Sequence, residues 1–163
     1  MMTAHHSNFI IAIDPDITKS GVATLDCTTR NIVVQSLQFP NLLKYLQQAK
    51  EELQGLTVVI ESGWKIQNNW HLRHANIRTA ASIGNSVGRN HAVGILLSEW
   101  LHFNGFNVIE QMPLKKCWKG NDGKITAEEL RYFTHYEKRT NQDERDAILL
   151  AWYTANFPIR IKC

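Results

Sequence analysis

The stretch Phe9-Ile10-Ile11-Ala12-Ile13-Asp14-Pro15-Asp16 decides how the rest of this chain is read. Its compact apolar run describes a buried strand, and Pro15 stops that strand by removing the next backbone donor. An acid, Asp14, is therefore delivered to the strand's C-terminal tip. Working outward, Ser20 to Leu25 and Asn31 to Phe39 are two further β-rich runs separated by a turn over Asp26 to Arg30, so the first forty residues predict an antiparallel three-strand meander. Pro40 opens a helix on which Leu42, Leu43, Leu46, Ala49 and Leu53 fall at helical spacing, and Gly55 punctuates its end. Thr57-Val58-Val59-Ile60 predicts a fourth strand, which also ends in an acid, Glu61.

A polar loop over Ser62 to Trp70 follows. Beyond it Ile77, Ala80, Ala81, Val87, Leu96, Trp100 and Leu101 predict one long helix, or two broken near Gly84 and Gly88, which lie one helical turn apart and would leave a flat surface. Phe106 to Ile109 predicts a short fifth strand, and Pro113 begins a basic loop. Thr126-Ala127-Glu128-Glu129 has the spacing of a capping box for a helix through about Tyr136, and a last helix is expected from Gln142 to Ala155. The order β-β-β-α-β-α-β-α-α, with no repeat or linker, predicts one α/β domain over residues 1–163: a mixed five-stranded sheet flanked by helices.

Composition excludes several classes. The chain has 163 residues, 44% hydrophobic and 20% charged, and a mean hydropathy of -0.29, which is a globular balance rather than a disordered or collagen-like one. No apolar run approaches the roughly 20 residues that cross a bilayer, and the polar, His-bearing start lacks the form of a secretory signal, so a cytoplasmic protein is expected. Cys27, Cys117 and Cys163 show no Cys-x-x-Cys spacing and read as free thiols. The net charge of +3 says little alone, but its distribution is informative. Between Glu61 and Glu99 there is no acid, while Lys65, Arg73, Arg78 and Arg89 occur there; a second acid-free stretch, Gln111 to Asn121, holds Lys115, Lys116 and Lys119.

This topology allows the first and fourth strands to lie side by side and parallel, which would bring Asp14 and Glu61 together. The last helix adds Asp143 and Asp146, three residues apart on one helical face. Singly, an Asp-Pro is a common turn former and an acid pair in a first helical turn complements the macrodipole. Jointly, four converging acids are costly unless divalent cations neutralise them, and such hard oxygen ligands suit Mg2+ or Mn2+. Two ions about 3.5–4 Å apart are the arrangement of two-metal phosphodiester hydrolysis.

At this point the chain resembles the RuvC-like Holliday junction resolvases of the RNase H-like superfamily. The resemblance rests on Asp14-Pro15-Asp16-x-x-x-Ser20-Gly21, Val59-Ile60-Glu61, Ile83-Gly84-x-x-x-Gly88, and Asp143-x-x-Asp146-Ala147-x-x-x-Ala151, which occur in the family's order over nearly the whole chain. It implies an RNase H-like sheet, Asp14, Glu61, Asp143 and Asp146 as catalytic metal-binding acids with two Mg2+ (or Mn2+) ions, and a homodimer acting on four-way DNA in bacterial or phage recombination or repair. It also implies a basic residue at the scissile phosphate, with Lys115, Lys116, Lys119 and Lys124 as candidates. Trp64 matches a family aromatic that stacks on bases, a role suited to an exposed indole; packing as a lid on the core is the alternative. The family has glycine where this chain has Asp16, whose carboxylate is expected to face solvent; tuning of metal binding is the alternative.

Lys65, Arg73, Arg78 and Arg89 are expected to contact phosphates, against the alternative of a solvated helix face. His71 and His74 lack a close third ligand and are not expected to bind metal. Competing functions are a nuclease for branched DNA or RNA–DNA hybrids, a non-catalytic nucleic-acid-binding module of the same fold, and an actin-like ATPase, for which the chain is short and only the first motif fits. The expected dimer surface is the long helix around Gly84 to Leu97, where Gly84, Gly88, Ala92 and Gly94 allow close approach.

Overall fold

The computed structural model describes residues 7–66 and 76–161. Its five strands are β1 (Phe9–Asp14), β2 (Ser20–Asp26), β3 (Ile32–Leu37), β4 (Leu56–Glu61) and β5 (Asn107–Gln111). They form one sheet in the order β3-β2-β1-β4-β5. β1–β2 and β2–β3 pair antiparallel, β1–β4 and β4–β5 parallel, which is the mixed sheet the sequence predicts. The helices are α1 (Phe39–Glu52), α2 (Ile77–Phe103), α3 (Ala127–Thr134) and α4 (Gln142–Thr154). No described helix is long and apolar enough to cross a membrane.

Successive strand residues point to opposite faces, and β1 is buried on both because both faces are covered. Ile10 and Ala12 belong to a core shared with Leu130 and Phe133 of α3 and Ala147, Ile148, Leu150 and Ala151 of α4. Ile11 and Ile13 belong to a second core with Leu42, Leu46 and Ala49 of α1 and Leu97 and Leu101 of α2. On β4, Val59 joins the first core and Val58 and Ile60 the second. This alternation carries straight into the site: Asp14 follows Ile10 and Ala12 in phase, and Glu61 follows Val59, so both acids stand on the α4 face.

Local signals set the helix ends. Thr126 and Glu129 make the expected reciprocal capping box at α3, which stops at His135 in the left-handed region (φ 58°). Asn141 and Glu144 make a second one at α4. The long-helix question resolves as one continuous helix, because neither Gly84 nor Gly88 breaks the hydrogen-bonded run. Its C-terminal half buries Val93, Leu97 and Leu101, whereas Ile77 is 89% exposed and nothing lies within 4 Å of where a β-carbon would stand on Gly84 or Gly88.

Candidate active site

Three elements bring four carboxylates to one cleft. In the β1–β4 ladder Ile13 pairs with Ile60, so Asp14 and Glu61 leave the two central strands side by side at their C-terminal ends. The third contribution depends on a glycine. Gly21 is the β2 partner of Asp14, and a β-carbon there would lie 2.2 Å from the backbone oxygen of Asp143. Only the missing side chain lets the first turn of α4 settle onto β2 beside Asp14.

That turn is fixed by several bonds. The Ser36 hydroxyl on β3 donates to Glu144 (2.9 Å) and accepts from the Asn141 amide (2.9 Å). Gln142 Nε2 donates to Asp146 Oδ1 (2.8 Å), and Arg145 holds Gln142 through its Oε1 (2.8 Å) while reaching the carbonyls of Ile125 and Thr140. Lys124 stands 3.8 Å from Asp146. Asp14, Asp16, Glu61, Asp143 and Asp146 line one cleft of about 200 Å³ together with Lys115, Lys116 and Lys124.

The electrostatics show how closely the acids crowd. Burial pushes the Asp14 carboxyl well above its ordinary range, and Glu61, Asp146 and Asp143 push it further, against the opposing pull of Lys124. Burial and then Asp146 raise Glu61, with Lys116 and Lys124 opposing. Burial and then Asp16 raise Asp143, with Lys124 again opposing. Among the described residues no three His, Cys, Asp or Glu side chains already stand close enough to enclose an ion. The donor set itself, carboxylate oxygens with raised proton affinity around a polar cleft, suits a hard divalent cation.

Several expected contacts stand elsewhere. Lys65 forms an ion pair with Glu110 on β5 (2.6 Å), so the acid-free stretch around it is acid-free in sequence and not in space. Trp64 is not a free loop indole. It sits half-buried in a short 3-10 turn (Gly63–Lys65) against the second core, and its ring covers Gly94 so closely that a β-carbon there would lie 2.3 Å from it. Gly94 therefore belongs under Trp64 and not to a dimer surface, while Gly84, Gly88 and Ala92 stay exposed or open.

Arg78 and Arg89 are exposed on α2; Arg73, with Trp70, His71 and His74, lies outside the described residues. Lys119 does not line the cleft, and its backbone N–H donates to Glu129 (3.1 Å). Asp16 is not simply solvated: its carboxylate accepts from the backbone N–H of Thr18 (2.7 Å) and from Asn90 of α2 (2.9 Å). Sequence reasoning missed Asn90 and Gln142, both of which hold an acid through a side-chain amide.

No family model matches the chain, and no curated protein matches it either. Among solved structures, a T. thermophilus RuvC in complex with a Holliday junction substrate matches with a TM-score of 0.52 over 88% of this chain and 89% of that one, at 12% sequence identity. The likeness, with the strand order and pairing above, shows an RNase H-like fold.

Proposed function

We propose that this protein is a divalent-metal-dependent endodeoxyribonuclease that resolves four-way DNA junctions by paired, symmetric cuts. The observation that carries the reading is the convergence of Asp14, Glu61, Asp143 and Asp146, from two strands and a helix, on one cleft that also holds Lys115, Lys116 and Lys124. Folding alone does not require four repelling acids there, and a binding protein gains nothing from aiming them at phosphate. The solved RuvC that shares this fold is bound to a Holliday junction, which supports the choice of substrate.

In this reading the four carboxylates hold Mg2+ or Mn2+. When bound, such ions polarise the phosphodiester and offset the charge that develops on its oxygens. The chain's own groups do the rest. Gln142 orients Asp146, Gly21 seats Asp143, and Lys116 and Lys124, which line the same cleft, offer cations to the phosphate. Arg78 and Arg89 on the exposed part of α2 bind flanking backbone. Two symmetric cuts call for two copies of the cleft, and the open surface at Gly84 and Gly88 is where a second chain approaches.

The test is cleavage of a labelled four-way junction, a matched duplex and an RNA–DNA hybrid, each with Mg2+ or EDTA, beside sedimentation of the free protein. Paired nicks in the junction alone, dependent on Mg2+, with a mass near twice 18.7 kDa, are expected. Preferential cutting of the hybrid, or a species that stays monomeric on junction DNA, overturns the paired-nick reading in favour of a broader branched-substrate nuclease.

A further inference from the structure

The turn that follows Asp14 is held by Asn90 of α2. Asn90 donates through Nδ2 to Asp16 Oδ2 (2.9 Å) and accepts through Oδ1 from the backbone N–H of Ile17 (2.9 Å). Asp16 uses its other oxygen within the turn, accepting from the N–H groups of Thr18 (2.7 Å) and Lys19 (3.3 Å), and its own backbone N–H donates to the Ser20 hydroxyl (3.2 Å). The next residue along α2, His91, lies over the loop after Glu61: a β-carbon on Gly63 would stand 2.9 Å from its Nε2. One turn of α2 thus touches the loops behind both strand-end acids. It does so where the helix passes from its buried half to its open half.

We infer that Asn90 and Asp16 form a positioning clamp that holds the Asp14 turn, and with it the cation-binding geometry of the acid cleft, in register with α2. The inference rests on the cation-binding reading of the acids proposed above. Asn90 also lines the acid cleft, but its hydrogen bonds run to Asp16 and the Ile17 backbone and not to Asp14, which makes it a positioning residue. An amide suits it because one side chain must both donate to a carboxylate and accept from an N–H. Losing a hydrogen-bond partner of a metal ligand commonly changes metal affinity by about 10–100-fold, and Asn90, which acts one link further out through the turn, should fall at the low end of that range.

The chemistry of the pair provides its own control. Asn90→Asp alone sets two carboxylates against each other. Asp16→Asn together with Asn90→Asp restores every bond: the new amide at 16 donates to the carboxylate at 90, which still accepts from Ile17, while the amide oxygen at 16 still accepts from Thr18. Charge is conserved in the swap.

The experiment is calorimetric titration of Mn2+ into the full chain without DNA, for wild type, Asn90→Ala, Asn90→Asp and the swapped double variant, with melting in EDTA alongside. We expect Asn90→Ala and Asn90→Asp to weaken Mn2+ binding about tenfold or more per folded molecule, and the swap to return within a few-fold of wild type. Single variants that melt lower yet bind Mn2+ like wild type show a structural contact only and overturn the clamp, as does a swap no better than Asn90→Asp. If Asn90→Asp does not fold, Asn90→Ala decides by the same criterion. A wild-type chain that takes up no Mn2+ overturns the cation reading itself and the clamp with it, an outcome distinct from a wild type that binds and variants that match it.

Discussion

Two helices of this molecule carry exposed or clustered charge, α4 at the acid cleft and α2 on its open half, and they are built in opposite ways. The first turn of α4 is tied down by a capping box, by Ser36, by the Arg145–Gln142 chain and by backbone contact at Gly21. The first half of α2 carries Arg78 and Arg89 with Ile77 and two glycines facing open space, and its attachment begins only at Asn90, His91 and Val93. Acids that must share a small volume need a rigid backbone, because displacement by an ångström changes ligand geometry. Groups that meet a long polyanion need reach and exposure instead. On the proposed function, the contrast separates where chemistry would be held from where a partner or substrate would be met.

The largest expected effect comes from the rigid side. Asp14→Asn should lower junction cleavage by about a thousandfold or more, the scale of losing a preorganised electrostatic group, with junction binding in a gel shift largely retained. Asp143→Asn and Asp146→Asn should behave alike. Cutting within a few-fold of wild type removes these acids from the reaction.

Next comes Gly21→Ala. A methyl group 2.2 Å from the Asp143 carbonyl must displace α4, so we expect destabilisation of about 1–3 kcal/mol, typical of overpacking, and weaker cleavage even by the folded fraction. Unchanged melting and activity would show that α4 tolerates a shift, and the contrast between the helices would collapse.

The acid cluster also sets a pH dependence in metal-free protein. Asp14, Glu61 and Asp143 all have folded values raised above their ordinary ones, so their contribution to stability is fully present below the unfolded carboxylate range, near pH 4, and is lost as pH rises through the raised values. Melting in EDTA should fall from mildly acidic to neutral pH, and Asp14→Asn should flatten that fall while raising the neutral melting temperature. A flat wild-type profile contradicts the crowding.

Smallest is the open side. Gly84→Ala adds a methyl group to empty space in a helix interior, and should stabilise the monomer by about 0.5–1 kcal/mol through helix propensity alone. If the same change weakens self-association in sedimentation, that surface is covered by a second chain; if association is untouched, any dimer forms through another surface.

Much of this was legible in sequence because it is local. Phe9 to Asp14 and Thr57 to Glu61 announce buried strands ending in acids, and Asp143 and Asp146 announce a shared helical face. What escaped depends on contacts between distant segments. Sequence leaves Trp64 open between an exposed loop aromatic and a lid on the core until Gly94 is seen to open a seat for it, and Lys65 reads as free until β5 supplies Glu110. Asp16 reads as a solvated departure from the family's glycine, yet Asn90, 74 residues away, gives it a partner. Short-range rules of periodicity and capping contain no information about such pairs.

The seating of α4 on Gly21 has a consequence for the order in which the molecule can be completed. All five strands precede α4 in the chain, so a chain emerging from the ribosome exposes Asp14, Glu61 and the basic segments before Asp143 and Asp146 exist. The docking of α4 joins positions more than a hundred residues apart, and such non-local closures come late and slowly. A nascent chain therefore bears its basic segments ahead of a full set of carboxylates, and vectorial synthesis itself keeps the cleft incomplete until the fold is nearly finished.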